Sequence, residues 1–201
     1  MKILRSLALV LALAAMAALA IPALASASKI EKEPSHELVK VGEPLSLFHT
    51  GADSIWIKSS VFGRAVCESF TAVGFTLSKN DGTTVEGSSS SPGAATCSTP
   101  SGGGSNVFSF SDLEIQHLAM TTPENGTMTL SYTQQFGPNH TCHFAGTVHF
   151  TYPLPSGEFA DHNRIQIPEP SSYSLSAEGC GKESLYGEVS VWGSERLVLN
   201  N

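Results

Sequence analysis

The sequence predicts an all-β protein: a single antiparallel, meander-rich β-barrel or β-sandwich of about ten short strands, with two disulfides. Three observations predict it. Apolar residues recur with period two through most of the chain after residue 44, the pattern of strands buried on one face. Turn-forming residues recur about every 8–12 positions, the spacing of sandwiches and barrels. Four cysteines, an even number, follow an export-type leader, and that combination reads as a disulfide framework.

Residues 1–27 are expected to be a secretory signal peptide. Lys2 and Arg5 supply a positive start, and the stretch over 7–21 is almost entirely Leu, Ala, Val and Met. Pro22 breaks the apolar run, and Ala23-Leu24-Ala25 and Ala25-Ser26-Ala27 offer small residues for cleavage, favoured after Ala27. The apolar run falls short of the roughly 20 residues a spanning helix needs. No cysteine follows the cleavage site, so a lipid anchor is not expected. The expected location is therefore secreted, extracellular or cell-envelope, with no membrane insertion after leader cleavage. The leader carries two of the 11 Lys and Arg and none of the 18 acids, so residues 28–201 hold a net charge of −9 rather than −7. Such an acidic chain lacks the basic footprint that nucleic acid requires.

Residues 28–43 hold Lys29, Glu31, Lys32, Glu33, Glu37, Lys40 and Glu43 and read as a loosely ordered charged arm. The all-β domain follows over 44–201. Ile55 and Ile57 flank Trp56, and Val73, Phe75 and Leu77 form another one-sided set, closed by the hairpin signal Asp81-Gly82. Residues 87–105, nearly all Ser, Gly, Pro, Ala and Thr around Cys97, read as a flexible loop pinned by a disulfide. Phe108 and Phe110 share one parity while Leu113 and Ile115 share the other, which predicts a bulge or turn near Ser111-Asp112. Asn125-Gly126 is a second hairpin signal.

The clearest alternation runs over 127–136, with Met128, Leu130, Tyr132 and Phe136 on one face and threonine, serine and glutamine on the other. Next, Cys142, Phe144, Val148 and Phe150 oppose His143, Thr147, His149 and Thr151; Gly146 on the apolar face marks a bulge or a close approach. Ile165 with Ile167, Tyr173 with Leu175 and Ala177, Leu185 with Gly187, Val189 and Val191, and Leu197 with Leu199 complete the pattern. No helix of ten or more residues and no fixed repeat is evident after the leader, so one domain is expected.

Cys67, Cys97, Cys142 and Cys180 allow three pairings. Sequential pairing is favoured, because it staples two local loops of similar size. Zinc is the competing use, but no C-x-x-C pair is present. His140 and His143 are the weak metal candidates, close enough to share an ion through the intervening turn. His143 and His149 stand about 20 Å apart on an extended strand and cannot both reach one. No other cofactor is implied.

Catalytic motifs are lacking: neither G-x-S-x-G nor H-E-x-x-H occurs. Glu114, Glu158, Glu178 and Glu188 could supply a carboxylate pair for glycoside hydrolysis, but sequence cannot pair them. Trp56, Trp192, Tyr132 and Tyr186 are the candidate ligand-binding residues, as a pocket lining or sugar platform; the plain alternative is that they fill core or shield an edge.

The order of features resembles the uncharacterised small four-cysteine all-β secreted proteins of actinobacteria. The residues that carry the resemblance are the early cysteine pair, the strand Cys142-His143-Phe144-Ala145-Gly146-Thr147-Val148, and the last cysteine followed by Leu185-Tyr186-Gly187-Glu188-Val189. It implies a β-rich exported protein with two intrachain bridges, and brings no functional residues. Lipocalins are a looser comparison, because Trp56 is preceded by Ser54-Ile55 rather than by their G-x motif. The expected function is a non-enzymatic binding or structural module with a glycan, small-ligand or envelope partner. A secreted hydrolase acting on polysaccharide or ester, and a small-ligand-binding β-barrel, are the alternatives.

Overall fold

Each strand in this chain is made by its neighbours' backbone as much as by its own side chains. The computed structural model describes residues 28–48, 55–99, 107–122, 125–136, 138–152 and 163–200. The leader lies outside them. The strands are β1 (Lys29–Lys32), β2 (Pro44–Phe48), β3 (Ile55–Ser59), β4 (Gly63–Thr71), β5 (Val73–Asn80), β6 (Val85–Ser91), β7 (Gly93–Ser98), β8 (Val107–Thr122), β9 (Asn125–Gln135), β10 (Thr141–Thr151), β11 (Arg164–Ile167), β12 (Leu175–Ala177), β13 (Gly181–Trp192) and β14 (Leu197–Asn200). The protein is all-β, with no helix among the described residues.

About ten short strands were expected; 14 are present among the described residues, and several are long, β8 having 16 residues and β13 12. Bulges explain the length of β8. At the expected parity switch the chain does not turn: Asp112 takes a positive φ of 54°, and the register against β9 shifts between Ser111 and Glu114. One inserted position lets Phe110 and Leu113 both face the core while the strand continues.

Twelve strands form one curled sheet with antiparallel neighbours. β2 and β3 lie in succession along one edge of β13, Leu47 opposite Val191 and Ile57 opposite Leu185. β5 and β4 flank them, β6 and β7 come next, and both of these meet β8. From β8 the chain meanders through β9 and β10. β11 and β12 share the far edge of β10 and pair in turn with β13. The path of pairing thus returns to its start. Ile57, Phe75, Val85, Met120, Phe144 and Phe150 are among the core side chains packed on the inner face.

The charged segment over 28–43 is not a loose arm. β1 pairs with β14, and Ile30, Val39, Leu197 and Leu199 are buried together with the core. Asn80 ties the segment down: its Nδ2 donates to the carbonyls of Ile30 at 2.8 Å and Val39 at 2.9 Å. The charges pair, Lys29 with the buried Glu31 and Lys32 with Glu43, each at 2.8 Å. Two well-placed apolar side chains and one amide therefore order a segment whose composition reads as solvated.

The expected flexible loop over 87–105 is likewise corrected. Residues 85–91 and 93–98 are β6 and β7, hydrogen-bonded on both edges, while 100–106 lie outside the described residues. Small side chains conceal these strands. A Cβ on Gly87 would stand 2.7 Å from the Thr76 carbonyl oxygen, so the close neighbour requires glycine there.

Asp81-Gly82 forms its expected turn between β5 and β6. The Asp81 carboxylate accepts from the Thr83 hydroxyl and from the Thr83 and Thr84 amides, which hold it well below the usual carboxylate range. Asn125-Gly126 is not the expected turn, because Thr122 already pairs with Asn125 and both residues belong to β9. Gly126 there admits the Phe150 ring, which a Cβ would meet at 2.2 Å.

Two disulfides, Cys67–Cys97 and Cys142–Cys180, follow the favoured sequential pairing. The first crosses from β4 to β7 in register. The second ties the start of β10 to the turn before β13.

Candidate functional site

The wall of the sheet has a gap where β11 and β12 meet β10 and β13. β12 pairs with Ala145 and Gly146 of β10, and β11 with Thr151. Between these contacts residues 147–150 have no strand partner on that side among the described residues. On β13 the same holds for 184–186. The connecting strap over 168–174 leaves the wall there, and a recess of about 400 Å³ opens behind it.

Prolines at 168 and 170 keep the strap extended and unable to pair as a strand. Three fastenings hold it. Ser184, buried on β13, donates its hydroxyl to the Ser172 carbonyl at 3.3 Å and accepts from the Ser174 amide at 3.2 Å. Glu169 takes Arg64 Nη2 at 2.5 Å and Lys58 Nζ at 3.5 Å, both projecting from the β3–β4 hairpin. The Arg64 guanidinium holds the Glu169 carboxyl below its ordinary range. Finally, Gly146 lets the Ser174 carbonyl approach so closely that a Cβ there would stand 2.1 Å from its oxygen. The close approach expected at Gly146 is thus the anchoring of the strap.

Val148, Ile167 and Leu185, which belong to the core, line the recess together with Pro168, Pro170 and Tyr173. Thr147, His149, Ser171, Ser172 and Ser174 add polar groups. The Ser174 hydroxyl is buried with no hydrogen-bond partner among the described residues. A buried hydroxyl without a partner costs about 1–3 kcal/mol.

A second feature lies inside the sheet and was missed in the sequence. Glu183 and Gln134 are fully buried. Tyr132 donates its hydroxyl to Glu183 Oε2 at 2.5 Å. With its amide oriented by the network, Gln134 donates to Oε2 at 3.0 Å and Oε1 at 3.2 Å. Burial pushes the Glu183 carboxyl up to about 7, against the opposing hydrogen bonds from Tyr132 and Ser59. The Tyr132 hydroxyl is pushed up by burial and by the adjacent carboxylate. The available signal was parity: Glu183 keeps frame with Leu185 and Val189, and Gln134 with Leu130 and Tyr132.

The four aromatic candidates do not converge. Trp56 and Tyr186 stand opposite each other on β3 and β13, their rings stacked at 6.4 Å. Tyr132 is in the core between Phe110 and Phe144. Trp192, 49 % exposed, lines a separate recess of about 590 Å³ with Arg164 and Arg196. Both arginines there are engaged, with Glu188 and Glu33.

The metal candidates also separate. His143 Nδ1 lies 3.0 Å from the Thr133 hydroxyl on the exposed side of the β9–β10 pair. His140 instead sits against the disulfide, its Nε2 3.4 Å from Cys142 Sγ and 3.7 Å from Cys180 Sγ. These three donor atoms lie within 4.8 Å of one another, but the two sulfurs are bonded to each other. Among the described residues no histidine is hydrogen-bonded to a serine hydroxyl, and Glu188 is paired with Arg164 at 2.7 Å. Glu158 lies outside the described residues. No family model, curated protein or solved structure matches this chain.

Proposed function

We propose that the chain is an exported β-domain that binds a small amphipathic molecule in the recess behind the 168–174 strap and does no chemistry on it. We infer further that the curled sheet is an up-and-down antiparallel barrel, supported by the pairing of β13 with both β2 and β3. Export is supported by the leader pattern of residues 1–27 and by two disulfides, which persist in oxidising compartments.

The observation that carries the binding reading is a recess lined by the core side chains Val148, Ile167 and Leu185, where β10 and β13 lack strand partners on that side among the described residues. A ligand with one apolar face would lie on Val148, Ile167 and Leu185 and turn its polar face to Thr147, His149, Ser171 and Ser172. The volume of about 400 Å³ suits such a molecule.

Nitrophenyl glycosides and nitrophenyl esters test the reading, because they are amphipathic and report their own cleavage. A binder gains thermal stability from at least one of them and releases no nitrophenolate. The gain is lost in the recess-filling Ser171→Trp and Leu185→Trp. Nitrophenolate release with saturation kinetics would establish the hydrolase instead. Stabilisation that persists in both variants would place the ligand elsewhere.

A further inference from the structure

The two disulfides occupy different chemical settings. Cys67 and Cys97 are each 1 % exposed and face one another across paired strands. Cys142 is equally buried, but Cys180 is only half-buried, at the end of a turn over 178–180. Gly179 and Gly181 on either side both adopt positive φ, and the Cys180 amide closes the turn on the Ala177 carbonyl at 3.2 Å. One sulfur of this bridge can therefore be reached by a thiol.

His140 supplies the second observation. Its Nε2 is nearer Cys142 Sγ, at 3.4 Å, than Cys180 Sγ, at 3.7 Å. The imidazole is held in place from behind: Phe136 packs against it with ring centroids 6.1 Å apart, and the Phe136 amide donates to the His140 carbonyl at 2.8 Å. A ring N–H so placed is a proton donor to a departing sulfur. Thiol–disulfide exchange is fastest where the attacked sulfur is accessible and the leaving thiolate is stabilised.

We propose that Cys142–Cys180 is a thiol–disulfide exchange site for small-molecule thiols, with Cys180 the attacked sulfur, Cys142 the leaving sulfur and His140 the proton donor. A thiolate attacks Cys180 Sγ, the S–S bond breaks with its electron pair going to Cys142 Sγ, and the imidazolium form of His140 gives that sulfur its proton and is left as the neutral imidazole. The product is a mixed disulfide on Cys180 and a free thiol at Cys142. A second equivalent of thiol displaces Cys180, leaving two protein thiols and the oxidised small-molecule disulfide, so two electrons pass from the thiols to the protein. Cys67–Cys97 takes no part and keeps the sheet stapled.

Glutathione, without denaturant, tests this directly. Samples are quenched by alkylation at intervals, and each cysteine is read by peptide mass mapping. Cys142 and Cys180 are expected to open together, at least about tenfold faster than Cys67 and Cys97, with the glutathione adduct on Cys180. His140→Gln is expected to slow that opening about tenfold and to leave both the Cys67–Cys97 rate and the circular dichroism spectrum unchanged. Equal rates for the two bridges, an adduct on Cys142, no opening at all, or an unchanged rate in His140→Gln would each overturn the proposal.

Discussion

Tyr132 and Glu183 meet inside the sheet, 51 positions apart in sequence, with the phenolic hydroxyl donating to Oε2 at 2.5 Å. This contact joins β9 to β13, which are not hydrogen-bonded neighbours. It also sets a pH dependence. The carboxyl is raised from 4.5 to about 7 on folding, mainly by burial, so between those values the folded state holds a proton that the unfolded state has lost. Stability from this group is complete below about pH 4.5, falls as pH rises through 7, and levels off above. The span is about 3 kcal/mol at most. Denaturant unfolding of wild type and Glu183→Gln from pH 4 to pH 8 checks it: the variant should show a flatter profile over pH 4.5–7.

Asn80→Ala should free the N-terminal segment without unfolding the sheet. The variant removes both donors to the Ile30 and Val39 carbonyls and the acceptor for the Ile30 amide at 3.3 Å. A loss of about 2–3 kcal/mol is expected for buried groups left unpaired. Hydrogen exchange should show it locally, with the Ile30 and Val39 amides exposed while that of Phe75 stays protected.

Gly146→Ala should displace the strap. The added Cβ would lie 2.1 Å from the Ser174 carbonyl oxygen, and the listener to that strain is backbone, not a flexible side chain. A destabilisation of about 1–3 kcal/mol is expected, together with loss of any ligand bound in the recess. Glu169→Ala, which removes the exposed ion pairs with Arg64 and Lys58, should cost under about 1 kcal/mol. Comparing their thermal midpoints separates backbone fit from surface charge.

Removing the Cys67–Cys97 bridge as the double serine variant should cost about 3–4 kcal/mol through the freed denatured chain. Chemical unfolding curves of the two proteins measure it. An unchanged midpoint would show that the cross-strand pairing of β4 and β7 suffices without the bond.

The alternation of Met128, Leu130 and Tyr132, or of Cys142, Phe144, Val148 and Phe150, places each side chain on its face of the sheet, because the pleat has period two. The parity break before Leu113 locates a bulge in the same way. The sequential disulfide pairing was favoured among three because it closes two local loops of similar size, and the structure decided it. Strands β6 and β7 were not legible. Ser88, Ser89, Gly93 and Ala95 have small side chains, and their strands exist through hydrogen bonds to β5, β8 and β4, which no local pattern encodes.

The sequence by itself determined the all-β class and the inward faces of the long strands, for which local periodicity is sufficient, and it favoured one of three pairings of the four cysteines. Only the tertiary structure decided that Glu183 shares the interior with Tyr132 and Gln134, that Asn80 holds the charged segment over 28–43, and that a proline-bearing strap leaves a recess in the wall. Each of these depends on contacts between residues distant in sequence, and on which strand lies beside which, a choice made by the energy of the whole sheet and not by any one segment of it.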